Sequence, residues 1–204
     1  MSLNKEKLYK TAPLPFQGQK RRFITAFTLA MSELKGNKDI RIIVDLFGGS
    51  GLLSHNAKKI FPEARVIYND FDNYSIRLRN VDKTNRLLGD IRSVIGNAKN
   101  GERLDPVSRE KIIHLVEKED ISGYVDYITL SSSLMFSAKY VLDLDALKGE
   151  HLYNNVKTCD YDFDPDEYLA GLEIVRVDYK KLYELIPVLI IRINIGSSGI
   201  TSMY

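Results

Sequence analysis

The chain has 204 residues, 44% hydrophobic and 27% charged, with a formal net charge of +2. That length suits one globular domain, or one domain carrying an inserted lobe, and the near-neutral balance leaves nucleic-acid binding to be decided by where the charges sit. The single cysteine, Cys159, excludes an internal disulfide and fits a reducing, cytoplasmic setting; no apolar run approaches the roughly 18 residues of a membrane span, and Met1–Lys7 has no apolar signal core.

Residues 1–14 read as irregular, stiffened by Pro13 and Pro15. Pro15-Phe16-Gln17-Gly18-Gln19-Lys20-Arg21-Arg22 then turns into a helix expected over about 20–34, with Phe23, Ile24, Phe27, Met31 and Leu34 on one face. Basic residues at a helix start oppose the helix dipole, which hints at an anion or ligand nearby. Ile40–Val44 reads as a buried parallel strand. It ends at Asp45, and Leu46-Phe47-Gly48-Gly49-Ser50-Gly51 forms a turn whose glycines permit positive φ and leave no Cβ against a ligand. A helix over 52–60 follows. The spacing excludes a dinucleotide fingerprint, because Ser54 stands where a third glycine is needed, and no G-K-S/T follows to make a phosphate loop.

The next strand, 65–69, ends at Asp70, nineteen residues beyond Gly51. An acid at the end of a second strand is placed to accept from ribose hydroxyls; Asp70 is chosen over Asp72, since Asp72 or Asn73 caps the following helix. That helix, expected over 74–88, carries Arg77, Arg79, Lys83 and Arg86, either as a solvated face or as a phosphate-contacting surface. Residues 89–168 break the strand–helix alternation. Asp105-Pro106 starts a helix to about Glu119, a second helical stretch runs through Tyr127 and Met135 towards Tyr140, and Asp164-Pro165 starts another. This reads as a mainly helical lobe, 89–168, inserted into an α/β core of 1–88 and 169–204. A third strand over 172–177 leads to Asp178-Tyr179, then a helix to about Leu185 and a fourth strand over 187–193.

Asp45-Leu46-Phe47-Gly48-Gly49-Ser50-Gly51 resembles motif I, D-x-F-x-G-x-G, of S-adenosylmethionine methyltransferases. With P-F-x-G-x-K-R about twenty-five residues ahead, the chain resembles the Dam-like (alpha-class) adenine-specific DNA methyltransferases. The resemblance implies a Rossmann-like methyltransferase sheet with an inserted helical target-recognition lobe, S-adenosylmethionine as cofactor, and double-stranded DNA as partner, methylated at N6 of a flipped adenine. It assigns Phe16, Gln17, Gly18 and Lys20 to the surroundings of donor and target base. Asp45 falls to the donor's ammonium, Leu46, Phe47, Gly48, Gly49, Ser50 and Gly51 to the turn around it, Asp70 with Phe71 to ribose, and Asp178 with Tyr179 to the adenine ring. Lys20, Arg77, Arg79, Lys83 and Arg86 are the implied DNA contacts, with Lys99, Arg103 and Arg109 as further candidates.

The chain departs from the family after its fourth strand. The family places D/N-P-P-Y/F there, whose oxygens bind the amine hydrogens and whose ring stacks on the base. Here Asn194-Ile195-Gly196-Ser197 follows, and no Pro-Pro occurs anywhere. Asp164-Pro165-Asp166-Glu167-Tyr168 follows no expected strand and reads as a helix start. The expectation is therefore a sheet incomplete at its C-terminus, no assigned catalytic residue, and a chain that is either inactive alone or a donor- or DNA-binding remnant. An exposed sheet edge on such a remnant invites pairing with a second copy.

Overall fold

The computed structural model describes residues 8–18, 20–37, 39–136 and 139–178, and the backbone of two short antiparallel strands, Asn194–Gly196 and Gly199–Thr201. Tyr179 and the expected fourth strand, 187–193, lie outside the described residues. The chain is mixed α/β, with a small parallel sheet and many helices.

The described residues divide into two compact units. One comprises the chain up to Ala12, Gly18–Ser75 and the chain from Asp164; the other comprises Pro13–Gln17 and Ile76–Phe163. In the first unit a 3-10 turn, Lys20–Phe23, runs into helix α1, Ile24–Asn37. Strand β1, Ile42–Asp45, is followed by helix α2, Leu52–Ile60, and strand β2, Arg65–Asn69. The strand expected from Ile40 starts two residues later and has Asp45 as its last residue. Phe27 and Met31 of α1 pack with Ala57 and Ile60 of α2 and with Phe61, Ala64 and Val66, closing the core on one face of the sheet.

The third strand, Leu172–Val175, pairs with β2, giving the order β1, β2, third strand, all parallel. Asp45 lies opposite Tyr68, and Tyr68 opposite Ile174. Asn69 locks the three carboxyl ends together. Its amide donates to Leu46 O (3.1 Å) beyond β1 and to Val177 O (2.8 Å) beyond the third strand, and its oxygen accepts from Val177 N (3.1 Å). On the exposed side Arg65 forks onto Glu173 (2.5 and 2.7 Å) across neighbouring strands, and the guanidinium holds that carboxyl below its ordinary range.

The basic helix expected over 74–88 is two helices: α3, Tyr74–Arg79, and α4, Val81–Ile95, parted at Asn80. In α4 the buried residues Val81, Thr84, Leu87, Leu88, Ile91 and Ile95 recur at helical spacing, and this stripe packs on α5, Pro106–Ile121. Asp105 caps α5 as expected, accepting from Val107 N (2.9 Å) and Ser108 N (3.0 Å) ahead of a proline in the first turn. Helix α6, Tyr127–Leu134, stops short of the expected Tyr140. The physical reason is competition: Tyr153 N, Asn155 N and the Asn155 amide take the carbonyls of Leu134, Ser133 and Met135. A short α7, Leu144–Lys148, and α8, Pro165–Leu169, complete the helices before the third strand, which is β3 in chain order; Asp164 caps α8. Among the described residues no helix is long and apolar enough to cross a membrane.

Candidate functional site

The polar groups of the first unit gather at the carboxyl ends of β1 and β2. Asp45 accepts from Ser54 Oγ of α2 (2.7 Å) and lies 3.6 Å from Lys20 Nζ, which donates to Phe47 O. Its side chain keeps 15% exposure. One hydroxyl and one ammonium leave room on this carboxylate for a further cationic donor.

Beyond it, Phe47 stands 65% exposed. Gly48 is buried, and a Cβ there would overlap Cδ2 and Cε2 of Tyr68 and come within 2.9 Å of Asn69 O. At this position the bare backbone leaves room for the Tyr68 ring beneath it, a constraint from within the protein. Gly51 is the N-cap of α2 at φ 70, a left-handed backbone that favours glycine. Two buried tyrosines hold the turn from inside: Tyr68 donates to Gly49 O (2.6 Å) and Tyr168 to Ser50 O (3.0 Å). Burial, then the Asp70 carboxylate, pushes the Tyr68 phenol far above its ordinary range, so it stays a neutral donor.

Asp70 is fully buried. Its Oδ1 accepts from Tyr74 N (2.6 Å) and its Oδ2 from Ser75 N (3.0 Å) and Ser75 Oγ (2.6 Å), while Arg176 Nη2 approaches to 3.4 Å. Asp70 itself caps α3, in place of the expected Asp72 or Asn73, and its carboxylate faces the helix rather than open solvent. The groups this turn presents outward are Phe71, 67% exposed, and the exposed Asp72 and Asn73.

Arg77 is also placed otherwise than expected. Its side chain is 7% exposed and pairs with Asp126 (2.9 Å), itself 1% exposed, and also donates to Pro15 O (2.7 Å) and Thr129 Oγ1 (3.2 Å). This buried, paired guanidinium anchors the segment ahead of Phe16 within the second unit. Arg79 and Arg86 are exposed, and half-buried Lys83 lies 5.8 Å over the Tyr124 ring. Phe16 and Gln17 belong to the second unit, Gly18 and Lys20 to the first. Lys99 and Asp178 are exposed.

Sequence reasoning missed Asn69, Ser54, Ser75 and Arg176. A signal existed for Asn69, because a polar residue closing the apolar run Val66-Ile67-Tyr68 needs partners when buried.

The chain matches the model of the D12 class N6 adenine-specific DNA methyltransferases over residues 16–155. It is 41% identical over 184 residues to the "Putative methyltransferase" of Haemophilus influenzae, an alignment covering 87% of this chain and 60% of that relative. The chain thus spans about three fifths of the length of the curated relative it matches. No solved structure matches it. With this match running from the Phe16 segment through the glycine turn into the helical unit, the chain belongs to the D12 class N6 adenine-specific DNA methyltransferase family.

Proposed function

We propose that the chain carries the donor-binding half of N6-adenine methyl transfer, with S-adenosylmethionine as methyl donor and duplex DNA as acceptor. The observation that carries this reading is the pair of exposed phenylalanines, Phe47 and Phe71, at the carboxyl ends of adjacent parallel strands beside the partly open Asp45 carboxylate. The sheet order β3-β2-β1 is that of the first half of a doubly wound sheet, where ligands sit outside the carboxyl ends.

In this reading Asp45 accepts from the donor's ammonium, a charge-assisted hydrogen bond, and Lys20 holds part of the same carboxylate in the structure. Phe47 and Phe71 offer faces to the adenine ring, and Asp72 takes the hydroxyls that the sequence assigned to Asp70. Asp70 positions these groups by capping α3. S-adenosylmethionine, when bound, supplies a methyl group on a sulfonium. No residue is given the task of binding the amine hydrogens, because no D/N-P-P-Y/F pattern occurs in the sequence. The helical unit is proposed as the DNA-facing part, with Arg79 and Arg86 exposed on its surface.

Calorimetric titration with S-adenosylmethionine tests the assignment. Asp45→Ala and Asp72→Ala are expected to weaken binding by about ten- to a hundredfold, the scale of a lost charge-assisted hydrogen bond, with the melting temperature unchanged in Asp72→Ala. Asp70→Ala is expected to lower the melting temperature by several degrees, as loss of a buried cap does. Intact stability with abolished binding in Asp70→Ala would return the hydroxyl-binding role to Asp70.

A further inference from the structure

The second unit contains a cleft of about 530 Å³ that the donor site does not use. Its walls come from two extended segments held side by side. Gly101 N donates to Asn154 O (2.6 Å), Leu104 N to Leu152 O (2.9 Å) and Asn154 N to Glu102 O (2.9 Å), with an antiparallel bridge between Arg103 and Tyr153. This ladder fixes two exposed side chains, Arg103 and His151, together: Arg103 Nη2 lies 2.7 Å from Nδ1 of the His151 ring. Arg109 closes the far wall, its guanidinium donating to Glu150 O (3.1 Å) and to Lys148 O.

The acids beside this cleft are each engaged with other groups. The Glu150 carboxylate is held by Lys139 (3.0 and 3.2 Å). Asp105 is committed to the first turn of α5 and Glu102 to Lys99 N (2.8 Å). Among the described residues neither Arg103 nor Arg109 has a carboxylate within ion-pair distance. The Arg103 guanidinium therefore has the His151 ring as its side-chain partner, in a concave site also lined by Pro106 and Arg109. A guanidinium fork in such a place suits a tetrahedral oxyanion, which it can meet with two parallel N–H bonds.

We infer that the Arg103–His151 cleft binds a phosphodiester of the DNA backbone, with Arg103 as the contacting group and His151 as the residue that orients it. The inference rests on the DNA reading above and adds a phosphate site to it. A phosphate contact positions DNA without reading its sequence, and each one steepens the salt dependence of binding by about 0.9 in the log–log slope.

The test is fluorescence anisotropy of a mixed-sequence 30-base-pair duplex with the full chain, from about 50 to 200 mM salt. Arg103→Gln is expected to weaken binding about tenfold at the low end, and this ratio is expected to shrink about threefold by the high end, the signature of one lost phosphate. Arg103→Lys, which keeps the charge and loses the fork, is expected to recover part of the affinity and most of the slope. Lys118→Gln removes a charge from the last turn of the same helix, about 18 Å further along by helical rise, and is expected to leave the slope unchanged. Equal slopes for wild type and Arg103→Gln, with normal wild-type binding, overturn this inference alone. A wild type with no duplex affinity overturns the DNA reading along with it. Titration with inorganic phosphate separates the sources: phosphate bound at Arg103 with DNA affinity unaffected by Arg103→Gln would make the cleft a site for free phosphate and contradict the inference.

Discussion

Asp126→Ala is expected to lower the unfolding free energy by about 3–5 kcal/mol, because it leaves a buried guanidinium without its counter-ion. The pair it breaks is nearly sealed from water, at 7% and 1% side-chain exposure. Asp126 does three jobs there. It neutralises Arg77, it caps α6 by accepting from Thr129 N (3.0 Å), and it accepts from Thr129 Oγ1 (2.7 Å). Water cannot substitute for these partners without entering the core, so the loss combines a buried charge with a lost cap. Asp126→Asn keeps an acceptor for the cap and is expected to fall between wild type and alanine. The double variant Arg77→Met with Asp126→Leu removes both charges and is expected to recover more than half of the loss, as apolar replacement of a buried pair does. Urea denaturation followed by far-ultraviolet dichroism measures all four proteins. A loss below about 1 kcal/mol in Asp126→Ala, the range of an exposed ion pair, would contradict the buried placement of the pair.

Gly48→Ala carries the second large effect. Its methyl group would occupy the space of the Tyr68 ring edge and press on Asn69 O. Tyr68 cannot swing away. It is fully buried, hydrogen-bonded to Gly49 O and neighboured by Asp70. Overpacking of this kind costs about 1–3 kcal/mol, and the shift it forces falls on the turn beside Asp45, so donor affinity is expected to drop with stability. Tyr68→Leu in the same background removes the ring that clashes. The two changes are then expected to be strongly non-additive, with the double variant losing less than the sum of the singles. Additive losses would mean that Gly48 and Tyr68 do not share that space.

These residues also show which parts of the molecule were legible beforehand. Helix α2 and strand β2 have the bounds expected from pattern alone, because Gly51 and Pro62 bracket the helix and Asp70 closes the apolar run Val66-Ile67-Tyr68 one residue beyond Asn69. The caps at Asp105 and Asp164 were legible for a similar local reason, a short acceptor followed by proline. Arg77 was not legible as a buried anchor, since its partner lies 49 residues away and nothing in the basic run Arg77, Arg79, Lys83, Arg86 distinguishes the inward residue from the outward ones. The end of α6 depended on the competing donors Tyr153 and Asn155, again distant in sequence. Asp70 shows a subtler limit: an acid at a strand end serves a ligand or the next helix equally well in a one-dimensional reading, and its bonds to Tyr74 N and Ser75 N needed the structure. The packing of Tyr68 against Gly48 was not legible, because the two residues lie on different elements.

The proposed donor site lies at the carboxyl ends of β1 and β2, and no D/N-P-P-Y/F pattern for an acceptor amine occurs in the sequence. Incubation with S-adenosylmethionine labelled with tritium on the methyl group, together with mixed-sequence duplex DNA, tests both halves at once. The predicted result is label retained by the folded protein in equilibrium dialysis, reduced by Asp45→Ala, with none incorporated into DNA. Robust incorporation at adenine N6 would contradict the missing acceptor half, and a folded wild-type chain that retains no label would contradict the donor site itself.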